Sequence, residues 1–275
     1  MSKTVEPSGE YLLGTQDNEL ARLERQHQTW RSNTQALWQR AAFGPGQFLL
    51  DLACGSSSCT FDLARLVGAQ GRVLAVDAAA KAIQLLAHEA RRQGLDHLQT
   101  RTASIEVPLA ERAVFDGAFA RWILCFLPHP ERLLATAHAA LRPGGRLALM
   151  DYFNYRALAL VPTEPLFATV FNAVYDSFHA SGGNLDVGNR LPTLLAANGF
   201  VVESVEPVFR SAHPDSPIWA WVGDFIASYL PGLVEKGFLS ANQFDAFQVL
   251  WAKATASKTA LFCAPPVLTV TARKA

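Results

Sequence analysis

An excess of charge of either sign is missing from this chain. Its 24 Lys and Arg residues are balanced by 24 Asp and Glu, for a formal net charge of zero. No electrostatic footprint therefore points to nucleic acid or to an anionic membrane. Cysteine is scarce: Cys54, Cys59, Cys125 and Cys263 form no C-x-x-C pair, and none stands beside a histidine at ligand spacing. That pattern predicts no metal site and fits reduced thiols in a cytoplasmic protein. Long apolar runs are absent too. The opening Met-Ser-Lys-Thr-Val-Glu-Pro has no apolar core of a signal peptide, and no segment approaches the ~18 continuous apolar residues of a membrane helix. Repeats and low-complexity tracts are lacking. What remains is a 275-residue chain, 50% hydrophobic, long enough for one large domain or for a core with a smaller lid. Its expected partner is a small molecule, with no nucleic acid and no membrane.

Periodicity divides the chain. Leu20, Leu23, His27, Trp30, Thr34, Leu37 and Ala41 recur at alternating spacings of three and four, which predicts one face of a helix of about seven turns. Phe43-Gly-Pro-Gly46 ends it, and 48–52 reads as a short apolar strand of the kind buried in parallel sheets. Strands at 72–76, 98–102, 115–121 and 146–151 then alternate with helices at 79–93 and 130–141. Arg142-Pro-Gly-Gly145 is a tight helix-to-strand turn. This alternation predicts a doubly wound α/β core with right-handed crossovers. A helix at 188–198, closed by Gly199, leads to a strand at 200–206. The final alternation, PVLTVTARK, supplies a last strand that pairs with it as a hairpin-like edge.

Two segments break the alternation. Residues 152–187 follow the carboxyl end of the fifth strand and are rich in aromatics. Residues 212–260 hold two more helices. One is signalled by Ser216-Pro217, the other by the capping box of Ser240 and Gln243. Trp219 and Trp221, two positions apart on the first of these helices, cannot both face one core, so one lines a pocket or meets a second subunit.

The stretch FLLDLACGSSSC, at 48–59, stands where ligands settle in an open parallel sheet, outside the first strand's carboxyl end. A dinucleotide fingerprint would need glycine at 53, 55 and 58, but the sequence has Ala53, Gly55 and Ser58. A pyrophosphate would fit such a loop poorly.

LLDLACGSSS resembles the first motif of class I S-adenosylmethionine-dependent methyltransferases, in which an acid ends the strand and small residues follow. VLAVDAA resembles the second motif, with Asp77 placed 22 residues after Gly55 at the next strand's end. FDGAFARWILCFLPHPERLL and ALRPGGRLALMDY resemble the fourth- and fifth-strand motifs, in the family's order. YLLGTQDNELARLERQ resembles a lead-in found in many bacterial members.

The resemblance implies a Rossmann-like, mostly parallel seven-stranded sheet with an N-terminal helix and helical lid insertions. Its parts are a helical cap (1–45), the cofactor-binding core (46–152, continued at 188–211 and 261–275), a substrate-side insertion (153–187) and a helical lid (212–260). The implied cofactor is S-adenosylmethionine. Asp77 would accept both ribose hydroxyls, next to Ala78. Asp51, Ala53, Gly55, Ser56 and Ser57 would form the loop, whose backbone N–H groups suit the methionine carboxylate. The family often has an acid after the third strand that reads the adenine amino group, whereas this chain has Ala103, followed by Ser104 and Ile105. Ser104 or backbone groups would replace the acid, and Ile105 would pack on the purine. Arg121 and Trp122 would lie by the methionine portion, and Tyr11 and Gln26 would close over the cofactor.

Candidate catalytic groups are His129, with its near-neutral pKa, and Tyr152, with Tyr155, Trp219 and Phe225 as substrate contacts. The implied activity is methyl transfer to O, N or C of a small, apolar or aromatic metabolite. Two alternatives stand beside it: a relative that binds the sulfonium without transferring methyl, as cyclases do, and a non-catalytic subunit. The long first helix and the lid aromatics suit a homodimer.

Overall fold

Apolar runs of five to nine residues, punctuated by glycine and small polar residues, are too short for helices with buried faces and pair instead as strands. The chain, seen as a computed structural model, is described over residues 17–55 and 58–275, with side chains from residue 22 onward. The expected contacts Tyr11, Ser56 and Ser57 lie outside the described residues.

In chain order the elements are α1 (Asp17–Arg40), β1 (Phe48–Leu52), α2 (Ser58–Val67), β2 (Arg72–Asp77), α3 (Ala80–Arg92) and β3 (Leu98–Thr102). Next come β4 (Phe115–Arg121), α4 (Pro130–Ala140), β5 (Leu141–Tyr152), β6 (Ala159–Val161), α5 (Pro165–Ala180) and α6 (Leu191–Ala197). The chain continues through β7 (Phe200–Val208), β8 (Ser211–Ala212), α7 (Pro217–Glu235), α8 (Ala241–Thr255), β9 (Leu261–Cys263) and β10 (Val267–Lys274).

Seven strands form one sheet in the order β3-β2-β1-β4-β5-β10-β7, parallel except for β10, which runs antiparallel to both neighbours. The chain steps outward from β1 to β3 and then returns to β4 beside β1. That reversal opens a crevice at the carboxyl ends of β1 and β4, where a ligand can enter. β1 is the hinge of this arrangement. Leu49, Leu50, Asp51 and Leu52 are all buried, as expected for a strand covered by helices on both faces. α1 packs over α2, α7 and the β5–β10 side of the sheet, with Trp30 and Leu37 wholly buried.

The two segments that break the alternation come together. α5, α7 and α8 pack on one another, and β6-β9-β8 form a small antiparallel sheet beside them. Ser216 accepts from Trp219 N at 3.3 Å to cap α7, and Ser240 with Gln243 forms the capping box of α8.

Three expectations are corrected. The helix expected over 188–198 is a 3-10 turn, Val187–Arg190, followed by α6 from Leu191, with Pro192 in the first turn, where its missing N–H is no loss. The fifth strand begins at Leu141, which pairs with Phe115 before the Arg142–Gly145 stretch bulges out and pairing resumes at Gly117 and Arg146. The last strand does pair with β7, but it inserts between β5 and β7, so β7 alone forms that edge. Among the described residues no helix is long and apolar enough to cross a membrane.

Candidate functional site

The end of β1 is built from inside outward. Asp51 is buried and accepts a hydrogen bond from Thr60 Oγ1 at 2.7 Å, pinning the strand to α2. Burial pushes its carboxyl up to about 7, against the Thr60 hydrogen bond and the nearby Arg121 charge, while Asp77 adds to the rise. Asp51 thus supports the loop from below.

Above it the backbone turns left-handed at Ala53 and Gly55, each with φ 57°. For Ala53 that conformation costs roughly 1 kcal/mol or more, and the surrounding bonds hold it. Cys54 N donates to Val76 O at 3.1 Å, and Gly55 N donates to Asp77 Oδ2 at 2.8 Å. Among the described residues, nothing lies within 4 Å of a Cβ placed on Gly55. Asp77 is half-buried at the end of β2, and its other oxygen accepts from Ala79 N at 2.8 Å. Ala78 beside it is exposed.

Each oxygen of Asp77 keeps lone pairs beyond the one already used, so the carboxylate can accept from a pair of vicinal hydroxyls. With no phosphate-cradling glycines, these residues fit a ribose and an amino-acid tail. Ser104 is exposed and its Oγ accepts from Glu106 N at 3.2 Å, while Ile105 is buried.

Across the crevice, β4 ends in Arg121 and Trp122. The Arg121 guanidinium donates to Thr34 Oγ1 at 2.9 Å and lies 5.0 Å from the centre of the Trp122 ring. Trp122 adopts φ 51°, and its backbone N–H donates to Met150 O at 2.8 Å. It stacks between Tyr152 at 6.1 Å and Trp221 at 6.2 Å, with Trp30 edge-on at 5.4 Å. Gln26 Oε1 accepts from Trp221 Nε1 at 3.4 Å and from Arg22 at 3.0 Å.

Trp122, Trp221, Tyr152, Tyr155 and Phe225, with Arg22 and Gln26, wall a cavity that is partly open to solvent. Next to Tyr152, Asp151 is buried and accepts from Leu124 N at 2.8 Å and Tyr152 N at 2.8 Å. Burial raises the Asp151 carboxyl to about 6 despite these bonds. Burial likewise pushes the hydroxyls of Tyr152 and Tyr155 well above the ordinary tyrosine value.

Of the residues picked out by sequence, Gln26, Trp122, Tyr152, Tyr155 and Phe225 meet at this cavity, and Ala53, Gly55 and Asp77 meet at the loop. Two stand elsewhere. His129 lies at the head of α4, with its side chain 54% exposed and 3.1 Å from Glu131. Trp219 turns to the other side of α7, where it stacks on Trp251 at 4.5 Å and donates to Thr255 Oγ1 at 3.0 Å. Sequence reasoning missed Arg22, Phe126, Phe178 and Leu185 on the cavity wall. Arg22 stands four residues before Gln26, one helical turn away on the same face, and that spacing was the available signal.

Residues 50–149 match the family described as Methyltransferase domain. The chain is 29% identical over 220 residues to an uncharacterized 37.1 kDa protein in transposon TN4556 of Streptomyces fradiae, covering 75% of this chain and 61% of that one. It is 33% identical over 120 residues to the aklanonic acid methyltransferase DauC of Streptomyces sp. strain C5, covering 43% and 54%. The chain thus spans less than two thirds of the length of either relative. Among solved structures, the YcgJ protein of Bacillus subtilis superposes with a TM-score of 0.60 at 14% identity, covering 89% of this chain and 98% of that one. The [4+2]-cyclase SpnF superposes at 0.55 with 18% identity, covering 88% and 80%. Residues 50–149 thus carry a methyltransferase domain that lies on the strand ends holding the loop, Asp77 and Trp122, and the matches support a class I S-adenosylmethionine-dependent methyltransferase.

Proposed function

We propose that this chain transfers a methyl group to an O, N or C atom of a small, apolar or aromatic metabolite seated in the Trp122–Trp221 cavity. The observation that carries this reading is the juxtaposition itself. A carboxylate-bearing loop at β1 and β2 and a largely aromatic cavity at the ends of β4 and β5 flank the same crevice.

S-adenosylmethionine, the cofactor of the family, supplies an electrophilic sulfonium methyl when bound. Asp77 would hold its ribose hydroxyls, with the backbone at 53–55 beside its amino-acid end. Ile105 would offer an apolar contact to the purine, and Arg121 and Trp122 would border the methionine portion. Trp122 and Trp221 orient a planar acceptor by stacking and exclude water, and positioning of this kind supplies much of the rate in a displacement between two bound groups.

Tyr152 stays protonated across the physiological range because burial disfavours its phenolate. Its hydroxyl therefore positions an acceptor by hydrogen bonding rather than removing a proton. An acceptor that is already a good nucleophile, such as an amine or a stabilised carbanion, suits this site. His129, exposed and off the cavity wall, would serve only an acceptor that reaches beyond the cavity.

Titration calorimetry with S-adenosylmethionine and its demethylated product should show binding in the micromolar range. No heat at millimolar ligand would overturn the reading. A labelled-methyl assay against extracts of the producing cell should yield a labelled small molecule. Cofactor binding without any labelled product would instead support the non-methylating alternative, for which the SpnF-like fold offers a precedent of shape alone.

A further inference from the structure

Next to the cavity at Trp122 lies a second hollow, partly open to solvent, between the 155–164 segment and α5. Leu158, Leu160, Phe167 and Phe171 give it apolar walls, and the exposed Thr163 and Ala168 stand at its rim. Its back is firm: Phe167 and Phe171 pack at 4.6 Å, and Phe167 also meets Phe262 of β9 at 6.2 Å. Tyr155 is the one residue common to the linings of both hollows.

Tyr155 is held in place from two sides. Its ring meets Tyr152 edge-on at 5.2 Å, and its N–H donates to Asp186 Oδ1 at 2.6 Å. The second oxygen of Asp186 accepts from the hydroxyl of Tyr175 on α5 at 2.9 Å, so the same carboxylate ties Tyr155 to the wall of the outer hollow. The ring is buried and packed on Tyr152 while the backbone that carries it is anchored by Asp186, so it acts as a divider rather than a swinging gate.

We propose that Tyr155 is the partition that sets the length of the acceptor. The head group stacks against Trp122 and Trp221, and Tyr155 closes the inner cavity behind it. A linear alkyl or prenyl substituent is refused once it reaches the Tyr155 ring. Removing the ring joins the two hollows into one channel whose outer half accepts that tail. This inference rests on the reading of the inner cavity as the acceptor pocket.

The probes are 4-alkylphenols from 4-methyl to 4-octyl, with binding followed by quenching of tryptophan fluorescence in the presence of S-adenosylhomocysteine. In the unaltered chain, affinity should stop rising after the first few carbons. In Tyr155→Ala it should keep rising, by about two- to fourfold for each further methylene buried. Tyr155→Phe should keep the cut-off, since the ring and not the hydroxyl is the barrier. Ala168→Trp, which refills the outer hollow from its rim, should restore the cut-off in the Tyr155→Ala background. Tyr155→Leu provides a second opening should the alanine variant fold poorly.

Equal length profiles in the unaltered chain and both opened variants overturn the partition. So does a loss of long-tail binding on placing Ala168→Trp in the otherwise unaltered chain, because the outer hollow would then already be in use. If short phenols bind and Trp221→Ala abolishes their binding, the acceptor pocket stands even where the partition falls. If S-adenosylhomocysteine binds and no phenol does, both fall together.

Discussion

Asp77 does two jobs with one carboxylate. It accepts from Gly55 N and Ala79 N, fixing the loop against the start of α3, and each oxygen keeps a further lone pair for a ligand. Hydrogen bonds to a charged acceptor contribute about 1.5–3 kcal/mol each, so Asp77→Ala should weaken binding of S-adenosylhomocysteine by roughly 10- to 100-fold in calorimetry. Asp77→Asn keeps an acceptor and should lose less. An unchanged dissociation constant in the alanine variant would remove Asp77 from the cofactor site. Tyr152→Phe tests the other side of the crevice: with the hydroxyl orienting the acceptor, turnover should fall about tenfold while the melting temperature holds. Asp77 is legible in the sequence because a strand, its terminal acid and the loop before it lie within one short span. The cavity wall is not, since Arg22, Phe178 and Leu185 come from three distant segments and periodicity shows only that a helix has an inner face, not what that face meets. Trp219 and Trp221 illustrate the limit. Their spacing requires different surroundings, and only the packing of α8 decides that Trp219 meets Trp251 while Trp221 meets the cavity.

α1 docks on α2 through a row of polar contacts. Glu24 accepts from the Ser58 hydroxyl at the start of α2, and one turn further on the buried His27 Nε2 lies 3.1 Å from Asp62 Oδ2. Arg31 closes on the same carboxylate through two bonds, at 2.6 Å and 3.0 Å. Asp62→Ala leaves His27 buried without its partner and breaks the Arg31 fork, so urea denaturation should show a loss of about 2–4 kcal/mol. The loop that precedes α2 should loosen with it, so affinity for S-adenosylhomocysteine should drop even though Asp62 touches no part of the proposed site. Undiminished stability would show that α1 docks through its apolar stripe alone. The stripe itself is readable from sequence, as are β1, β3 and β4, because each is a local pattern of apolar spacing. Three features escaped for a common reason. The early start of β5 at Leu141, the insertion of β10 between β5 and β7, and the β6-β9-β8 sheet are all decided by which distant strand offers free backbone groups, and no local period records that.

Across the whole molecule, three buried carboxylates bend the pH dependence of stability in opposite directions. Burial lifts Asp51 from the ordinary 3.8 to about 7 and Asp151 to about 6. Asp62 goes the other way: burial alone would raise it, but hydrogen bonds from His27 and Arg31 overcome that and hold it well below 3.8. A carboxyl whose folded value is raised binds its proton more tightly in the native state. Its contribution is therefore complete below about pH 4, is lost progressively as the pH rises from there, and is gone once the pH has passed the folded-state values of about 6 and 7. A carboxyl whose folded value is depressed contributes above about pH 4, and loses that contribution as the solution becomes more acidic. The two windows meet near pH 4, so these carboxyls place the stability maximum close to that value and not at the isoelectric point near 7.1. Melting curves from about pH 2 to 9 should show the midpoint rising to about pH 4, falling up to about pH 7 and levelling above it. Asp51→Asn retains an acceptor for Thr60 and carries no charge at any pH, so its curve should fall less steeply between about pH 4 and 7 while keeping the acid limb that Asp62 sets. A wild-type maximum at pH 8 or above would mean that Asp51 is ionised beneath the loop at neutral pH, with its charge balanced by Arg121 rather than withheld by burial.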